Sequence, residues 1–308
     1  MSKARKGIHN NILWILFISV VIVFAGELAW DILMTDIDIK NAYLYTFMRY
    51  TQFISMWISV ILAITIFKKN RYIMDFITTK TKGNNIYNLL LGFLFGFILN
   101  ISSAIIALLH GDISLIFVKF EVFHVICLFI AVFIQSSAEE LLCRGFMYQR
   151  FLKSISNPAV AIFLNSFLFA VLHLFNDGMG VLAFYDLLVT GIFFSLIVFY
   201  FDSLWMAMGV HTTWNFTQSI LLGLPNSGTS FPYSVYKLDT LNVYGSFAYN
   251  TEFGLEGTIL SSVIMTGCCI GLYLWKNKSR NIFKNYNYFT IKDNNTNENP
   301  DEVSIYEN

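Results

Sequence analysis

The sequence has few charged residues. Only 13% of its 308 residues are Asp, Glu, Lys or Arg, whereas 56% are hydrophobic and 17% are aromatic. A soluble domain carries about a quarter charged residues, so this composition argues against a soluble enzyme, a disordered chain and a nucleic-acid-binding protein. Basic and acidic residues are equal in number, at 20 each, so there is no net charge to attract a partner. The composition is typical of a polytopic membrane protein.

Cysteine is also scarce. Cys127, Cys143, Cys268 and Cys269 fall in or beside apolar segments and form no C-x-x-C pair. We therefore expect neither a disulfide framework nor a zinc knuckle, and we interpret these residues as apolar packing groups. The first apolar run also lacks a convincing signal-peptide cleavage site at its end, near residues 25–29, so we expect an uncleaved first span.

Apolar runs free of charged residues predict the membrane spans. A span needs roughly 20 residues of helix, because no water is present in the bilayer core to satisfy backbone groups. The runs cover residues 7–26, 50–67, 83–111, 122–138, 154–176, 181–201, 203–222 and 257–275. We predict an all-α fold with about eight transmembrane helices in one domain, residues 1–289, followed by a disordered cytoplasmic tail at 290–308.

The distribution of basic residues predicts the orientation. With both termini in the cytoplasm, 16 of the 20 basic residues lie on the cytoplasmic side, as the positive-inside rule requires. The 223–254 loop then lies outside. We interpret its aromatic residues as a belt at the membrane surface, with partner binding as the alternative. These residues are Tyr233, Tyr236, Tyr244, Phe247 and Tyr249.

Polar residues within the spans are the candidates for function, because burying them in lipid is costly. Three clusters stand out. They are Glu139, Glu140 and Arg144 in the fourth span, Phe169 and His173 in the fifth, and His211 and Asn215 in the seventh. Counting about 1.5 Å of rise per residue from the predicted boundaries places the clusters at similar depths. We therefore expect them to meet in one polar cavity that opens toward the cytoplasmic half.

Helix geometry gives the two glutamates different roles. Glu140 lies four residues before Arg144, which favours an ion pair between them. Glu139 points about 100° away around the helix, so we expect it to be free for chemistry. Among the other acidic residues, we interpret Asp186 as a buried hydrogen-bonding group and expect Glu256 to be solvated near an outer boundary.

One carboxylate, two imidazoles and one amide suit the hydrolysis of a substrate by water. Glu139 can take a proton from water while His173 orients that water, and His211 and Asn215 can donate hydrogen bonds to an oxyanion. Alternatively, Glu139, His173 and His211 can ligate a metal such as zinc and leave one position open to water. There is no H-E-x-x-H motif, so the sequence leaves both mechanisms open.

Together the three clusters resemble the CAAX prenyl protease and bacteriocin-processing (CPBP, or Abi) family of intramembrane proteases. The family motifs E-E-x-x-x-R, F-x-x-x-H and H-x-x-x-N are present between about residues 115 and 222. The resemblance implies an endopeptidase, often described as a metalloprotease, that acts on prenylated C-termini, bacteriocin or pheromone precursors, or leader peptides. It implies that Glu139 activates water with His173, that His211 and Asn215 form an oxyanion site, and that Glu140, Arg144 and Phe169 support them.

Two other functions remain open at this point. A non-catalytic membrane immunity or scaffolding protein of the same fold shares every feature above, so only activity separates it from the protease. A transporter would show paired repeats and interrupted spans in both halves, and the sequence contains neither. We expect membrane lipids and a membrane-associated or lipidated peptide as partners, and no nucleic acid.

Overall fold

The computed structural model describes residues 11–34, 39–155 and 157–277. The predicted tail at 290–308 lies outside the described residues. Within them the chain is mostly helical, and the all-α prediction is confirmed.

The described part of the chain contains eleven α-helices and one two-stranded sheet. The helices are α1 Ile12–Met34, α2 Ala42–Thr51, α3 Ile54–Ile66, α4 Ile73–Ile77, α5 Ile86–His110, α6 Val122–Glu140, α7 Tyr148–Ser154, α8 Pro158–Leu172, α9 Val181–Phe201, α10 Leu204–Asn215 and α11 Ile259–Asn277. Strands β1 Leu115–Phe117 and β2 Tyr236–Leu238 pair antiparallel. They join the α5–α6 connection to the long segment between α10 and α11.

Each of the eight predicted apolar runs coincides with a helix, although the second span begins near Ala42 rather than residue 50. Six helices or helix runs in the described residues are long and apolar enough to cross a membrane. They are α1, α2 with α3, α5, α6 with α7, α9 and α11. Helix α8 has only 15 residues and α10 only 12. The chain is an integral multi-pass membrane protein, while the number eight and the cytoplasmic termini stay predictions.

Two helices continue into π-helical segments. Helix α6 runs through Leu141–Met147 into α7, and α10 runs on through Phe216–Leu221. In such a segment the backbone bonds reach five residues back, as the Leu222 N–H does. π-Helical turns are rare and occur frequently at functional sites. Both segments begin directly after a predicted site residue, Glu140 in one and Asn215 in the other.

Glycines bring α5 and α10 into backbone contact. Gly92 and Gly96 on α5 face carbonyl oxygens of α10, and a Cβ at either position would overlap them. Gly209 on α10 faces a carbonyl oxygen of α5 in the same way. Small residues at helix contacts are common in membranes, because they let two backbones approach closely. This contact fixes the position of the helix that carries His211 and Asn215.

Residues 223–258 fold over one end of the helices, and we call this segment the cap. Two of the aromatic residues assigned to a membrane belt are buried in it: Tyr233 and Tyr249 are 3% and 0% exposed. The belt prediction is wrong for these two, because Tyr249 packs in a cluster that joins the cap to Ala107 of α5, and Tyr233 packs in another that joins the cap to Leu128 of α6. The other three aromatic residues of the predicted belt are exposed.

Candidate active site

Glu139, His173, His211 and Asn215 line a single cavity of about 290 Å³. Glu139 lies at the end of α6, His173 directly follows α8, and the other two residues lie on α10. The structure therefore brings together side chains that are up to 76 residues apart in the sequence.

The cavity extends to the cap end of the helices. Its wall there includes the exposed Arg49 of α2 and cap residues between 226 and 231. The predicted topology places Arg49 and the cap outside, so the predicted orientation and the expected opening toward the cytoplasmic half are inconsistent with each other. Helix α8 ends at Leu172, so His173 lies at the end of a 15-residue helix, and its depth in the membrane stays a prediction.

The two glutamates have different surroundings. Glu140 is fully buried, and its Oε1 accepts a 3.0 Å hydrogen bond from Nη1 of Arg144 and lies 2.9 Å from Nδ1 of His211. The Glu139 side chain is 18% exposed and lines the cavity. The structure thus contains the ion pair expected four residues apart, and it adds His211 to that pair.

Arg144 is held by aromatic rings as well as by Glu140. Its guanidinium lies 4.5 Å from the ring centre of Phe169 and 5.2 Å from that of Phe194. Its Nη2 also donates to the Gly191 carbonyl at 3.0 Å. Aromatic faces attract cations, and the attraction is stronger where water is excluded. Phe169 therefore contacts Arg144 directly, in addition to its place four residues before His173 in the motif.

The His211 ring is fixed between the two glutamates. Its Nδ1 carries the proton, because a carboxylate such as Glu140 can only accept a hydrogen bond. Its Nε2 faces Oε2 of Glu139 at 3.8 Å, which is too long for a direct hydrogen bond. Phe194 stacks on the imidazole with ring centres 5.2 Å apart. The ring is therefore held with Nε2 toward Glu139.

His173 directly follows the last turn of α8. Its Nδ1 lies 2.7 Å from the carbonyl oxygen of Phe169, four residues earlier, so Nδ1 carries a proton. The Phe169 ring also contacts the imidazole, with ring centres 4.7 Å apart. In the neutral ring, Nε2 keeps a lone pair that can accept a proton or hold a water.

Gln135 connects two site residues, and the sequence reasoning missed it. Its Nε2 donates to Oε1 of Glu139, and its Oε1 accepts a 3.1 Å hydrogen bond from Nδ2 of Asn215. The Ser136 hydroxyl donates to the same Oε1 at 3.1 Å and accepts from Asn215 at 3.3 Å. The sequence does contain a signal for this contact, because Gln135 lies four residues before Glu139, a spacing at which side chains on a helix interact. A search among ionisable residues alone passes over an amide.

Glu256 lies buried in the cavity wall, so the expectation that it is solvated is wrong. Nε1 of Trp214 donates to its Oε1 at 2.7 Å, and the N–H and hydroxyl of Ser227 donate to its Oε2 at 2.6 and 2.7 Å. Burial raises the pKa of this carboxyl, and the hydrogen bonds counteract the rise because they favour the charged form. Hydropathy did not predict the burial of Glu256, because that burial depends on the cap folding back over the helix ends.

Asp186 on α9 anchors the other side of the cap. Its Oδ2 accepts hydrogen bonds from the Gly257 N–H at 3.0 Å and from the Ser261 hydroxyl at 2.9 Å. The residue is 1% exposed. The interpretation of Asp186 as a buried hydrogen-bonding group is confirmed.

The zinc alternative does not fit the arrangement of side chains. Among the described residues, no three His, Cys, Asp or Glu side chains are grouped so that they could hold a metal ion. We therefore derive no step through zinc.

Comparison with known families agrees with the motifs. Residues 121–217 match the family model Rce1-like, described as type II CAAX prenyl endopeptidase Rce1-like. The matched segment contains all seven predicted site residues and excludes the cap. Searches of curated proteins and of solved structures return no match. The predicted resemblance is confirmed: the chain is an integral membrane protein in which segment 121–217 is similar to the Rce1-like family of type II CAAX prenyl endopeptidases.

Proposed function

We propose that the protein is an intramembrane endopeptidase in which Glu139 activates water to hydrolyse a peptide bond. One observation supports this most directly. Glu139, His173, His211 and Asn215 come from three separate helices and line one cavity. Arg144, the arginine of the E-E-x-x-x-R motif, is paired with Glu140. The Glu139 carboxylate is therefore available to act as a base.

In the proposed reaction, a water beside Glu139 gives a proton to the carboxylate while its oxygen bonds to the carbonyl carbon of the substrate. Nε2 of His173 accepts the second hydrogen of this water in a hydrogen bond and orients it. The carbon–nitrogen bond then breaks, and Glu139 returns the proton to the leaving nitrogen. The products are a carboxylic acid and an amine, and the enzyme returns to its starting state.

His211 and Asn215 are the proposed donors to the oxyanion. Arg144 neutralises only one of the two glutamates, so a protonated His211 would balance the second negative charge. Its Nε2–H could then donate to the oxyanion near Glu139. Asn215 would exchange its 3.3 Å bond to Ser136 for a bond to the oxyanion, while its bond to Gln135 keeps the amide in place.

A lipidated or membrane-inserted peptide is the substrate class that the site supports best. The family description names prenyl endopeptidases, which favours a prenylated C-terminus over a bacteriocin, pheromone or leader peptide. The cavity also has an apolar side, which suits an apolar chain beside a peptide bond. Its members include Val23, Phe53, Met56, Leu172 and Leu187.

Cleavage by the purified protein in lipid nanodiscs tests the proposal. Prenylated and unmodified peptides are incubated with the wild type, with Glu139→Gln and with Glu252→Gln, and the products are identified by mass spectrometry. Loss of the base should lower kcat by about 10²- to 10⁴-fold. Glu252 is an exposed cap glutamate outside the cavity, so its variant should match the wild type. Equal cleavage by Glu139→Gln would contradict the mechanism.

Two further measurements separate the alternatives. Comparative peptidomics of cells carrying the wild type or Glu139→Gln should reveal a peptide that only the wild type processes. Identical peptide profiles, with the same phenotype, would favour the immunity or scaffolding function.

Activity should also survive complete chelation. Its loss on chelation and recovery with zinc would favour a metalloprotease.

A further inference from the structure

The cap supplies one wall of the cavity and lies outside the family-matched segment. The matched segment contributes the four predicted catalytic side chains, whereas the cap and α1–α3 contribute other parts of the wall. The cap residues in that wall are Asn226, Ser227, Thr229, Phe231 and Glu256. The space available to a substrate therefore depends on how the cap is held against the helices.

Ser227 and Glu256 form the joint between the cap and the site helices. Glu256 accepts hydrogen bonds from Ser227 and from Trp214, the residue that precedes Asn215 on α10. The Ser227 carbonyl accepts a 2.8 Å bond from Nδ2 of Asn176, which lies just beyond the end of α8. Two cap residues that lie 29 positions apart in the sequence thus contact α10 and the segment just after α8, which carry predicted catalytic residues.

We propose that Glu256 is a positioning residue that latches the cap onto Trp214 and so sets the size of substrate that the cavity accepts. This inference rests on the proposed peptidase function for its kinetic consequences. Its structural consequence, the attachment of the cap to α10 through one carboxylate beside the cavity, does not depend on catalysis.

The chemistry of the joint explains why a carboxylate is needed. Three N–H or O–H groups from Ser227 and Trp214 point at the two oxygens of Glu256, and a carboxylate can accept at both. Such charge-assisted bonds are roughly twice as strong as neutral ones. A glutamine at this position keeps one acceptor oxygen and turns an NH₂ group toward the remaining donor. At least one side of the joint is then lost.

The native Cys143 is a reporter for this joint. Its side chain lines the same cavity and is 1% exposed. With the other three cysteines replaced by serine, the rate of modification by a charged methanethiosulfonate reagent measures access to the cavity. Glu256→Gln should raise that rate about tenfold, the change expected for loss of one hydrogen bond to a charged group. Glu252→Gln, a matched change on the cap surface, should leave it unchanged.

Kinetics provide the second readout. Glu256→Gln should raise KM several-fold for peptides that fill the cavity and change kcat by less than about twofold, because the base and the oxyanion donors are untouched. Ser227→Ala removes only the hydroxyl bond and should give a smaller effect of the same kind. It also serves as the test variant if Glu256→Gln does not fold.

The outcomes are distinguishable from failure of the proposed function. A wild type without peptidase activity would remove the peptidase proposal, and Cys143 labelling would still test the latch. A folded Glu256→Gln or Ser227→Ala protein with wild-type labelling and wild-type KM would overturn the inference.

Discussion

The motif helices and the cap meet at one cavity but are organised differently. On the helices, some polar partners lie one turn apart, as Glu140 and Arg144 do at 3.0 Å, although His211 reaches Glu140 from another helix. In the cap, partners come from distant parts of the chain: Glu256 binds Trp214, and the Ser246 hydroxyl donates to Asp112 across 134 residues. Helical periodicity therefore encodes part of the first region locally, whereas only the folded chain reveals the second.

Removing Arg144 is the strongest way to break the helical part of the site. Arg144→Gln leaves Glu140 as a buried carboxylate without its positive partner, which should cost about 3–5 kcal/mol of stability. Thermal unfolding in detergent measures the loss. Arg71→Gln is the control, because this arginine is exposed and lies outside the cavity, and it should change stability by less than about 0.5 kcal/mol. Equal melting temperatures for the two variants would show that the buried pair is not needed.

The sequence predicted the parts of the site that repeat at helical spacing. The Glu140–Arg144 pair follows from a separation of four residues, and the exposure of Glu139 follows from its direction around α6. Gln135 has the same spacing to Glu139, but it carries no charge and was overlooked. Glu256 could not be found, because its burial depends on the cap folding back over α10. Hydropathy describes single helices and does not include that contact.

A second prediction concerns the amide that connects Glu139 to Asn215. Gln135→Leu keeps the volume of the side chain but removes a donor to Glu139 and an acceptor from Asn215. Loss of a hydrogen bond to a charged group costs about 1.5–3 kcal/mol, so kcat should fall about 10- to 100-fold.

Ser136→Ala is the comparison for Gln135→Leu. It removes the 3.3 Å bond from Asn215 and the 3.1 Å bond to Gln135 but leaves the bond between Gln135 and Glu139 in place, so its effect on kcat should be smaller. A Gln135→Leu enzyme with wild-type kcat would show that the connection plays no part in the reaction.

A third prediction extends the comparison to α5, which lies outside the matched segment. A Cβ at Gly96 overlaps the backbone of α10, so Gly96→Ala should push the helices apart and cost about 1–3 kcal/mol of stability. Activity should fall with it, because α10 carries His211. Gly267→Ala on α11 is the matched control, since no atom lies within 4 Å of the new Cβ. If the two variants have the same melting temperature, the backbone contact does not position α10.

The smallest effects are expected in the cap, where the same substitution at two tyrosines should have opposite signs. The Tyr249 hydroxyl is buried and has no hydrogen-bond partner among the described residues. Tyr249→Phe removes a costly buried polar group, so stability should stay constant or rise by about 1 kcal/mol. The Tyr233 hydroxyl donates to Glu121 at 3.3 Å, so Tyr233→Phe should lower stability by about 1 kcal/mol. Thermal unfolding of both variants measures the difference. An equal loss in both would mean that the Tyr249 hydroxyl has a hydrogen-bond partner in the folded protein, as the Tyr233 hydroxyl does.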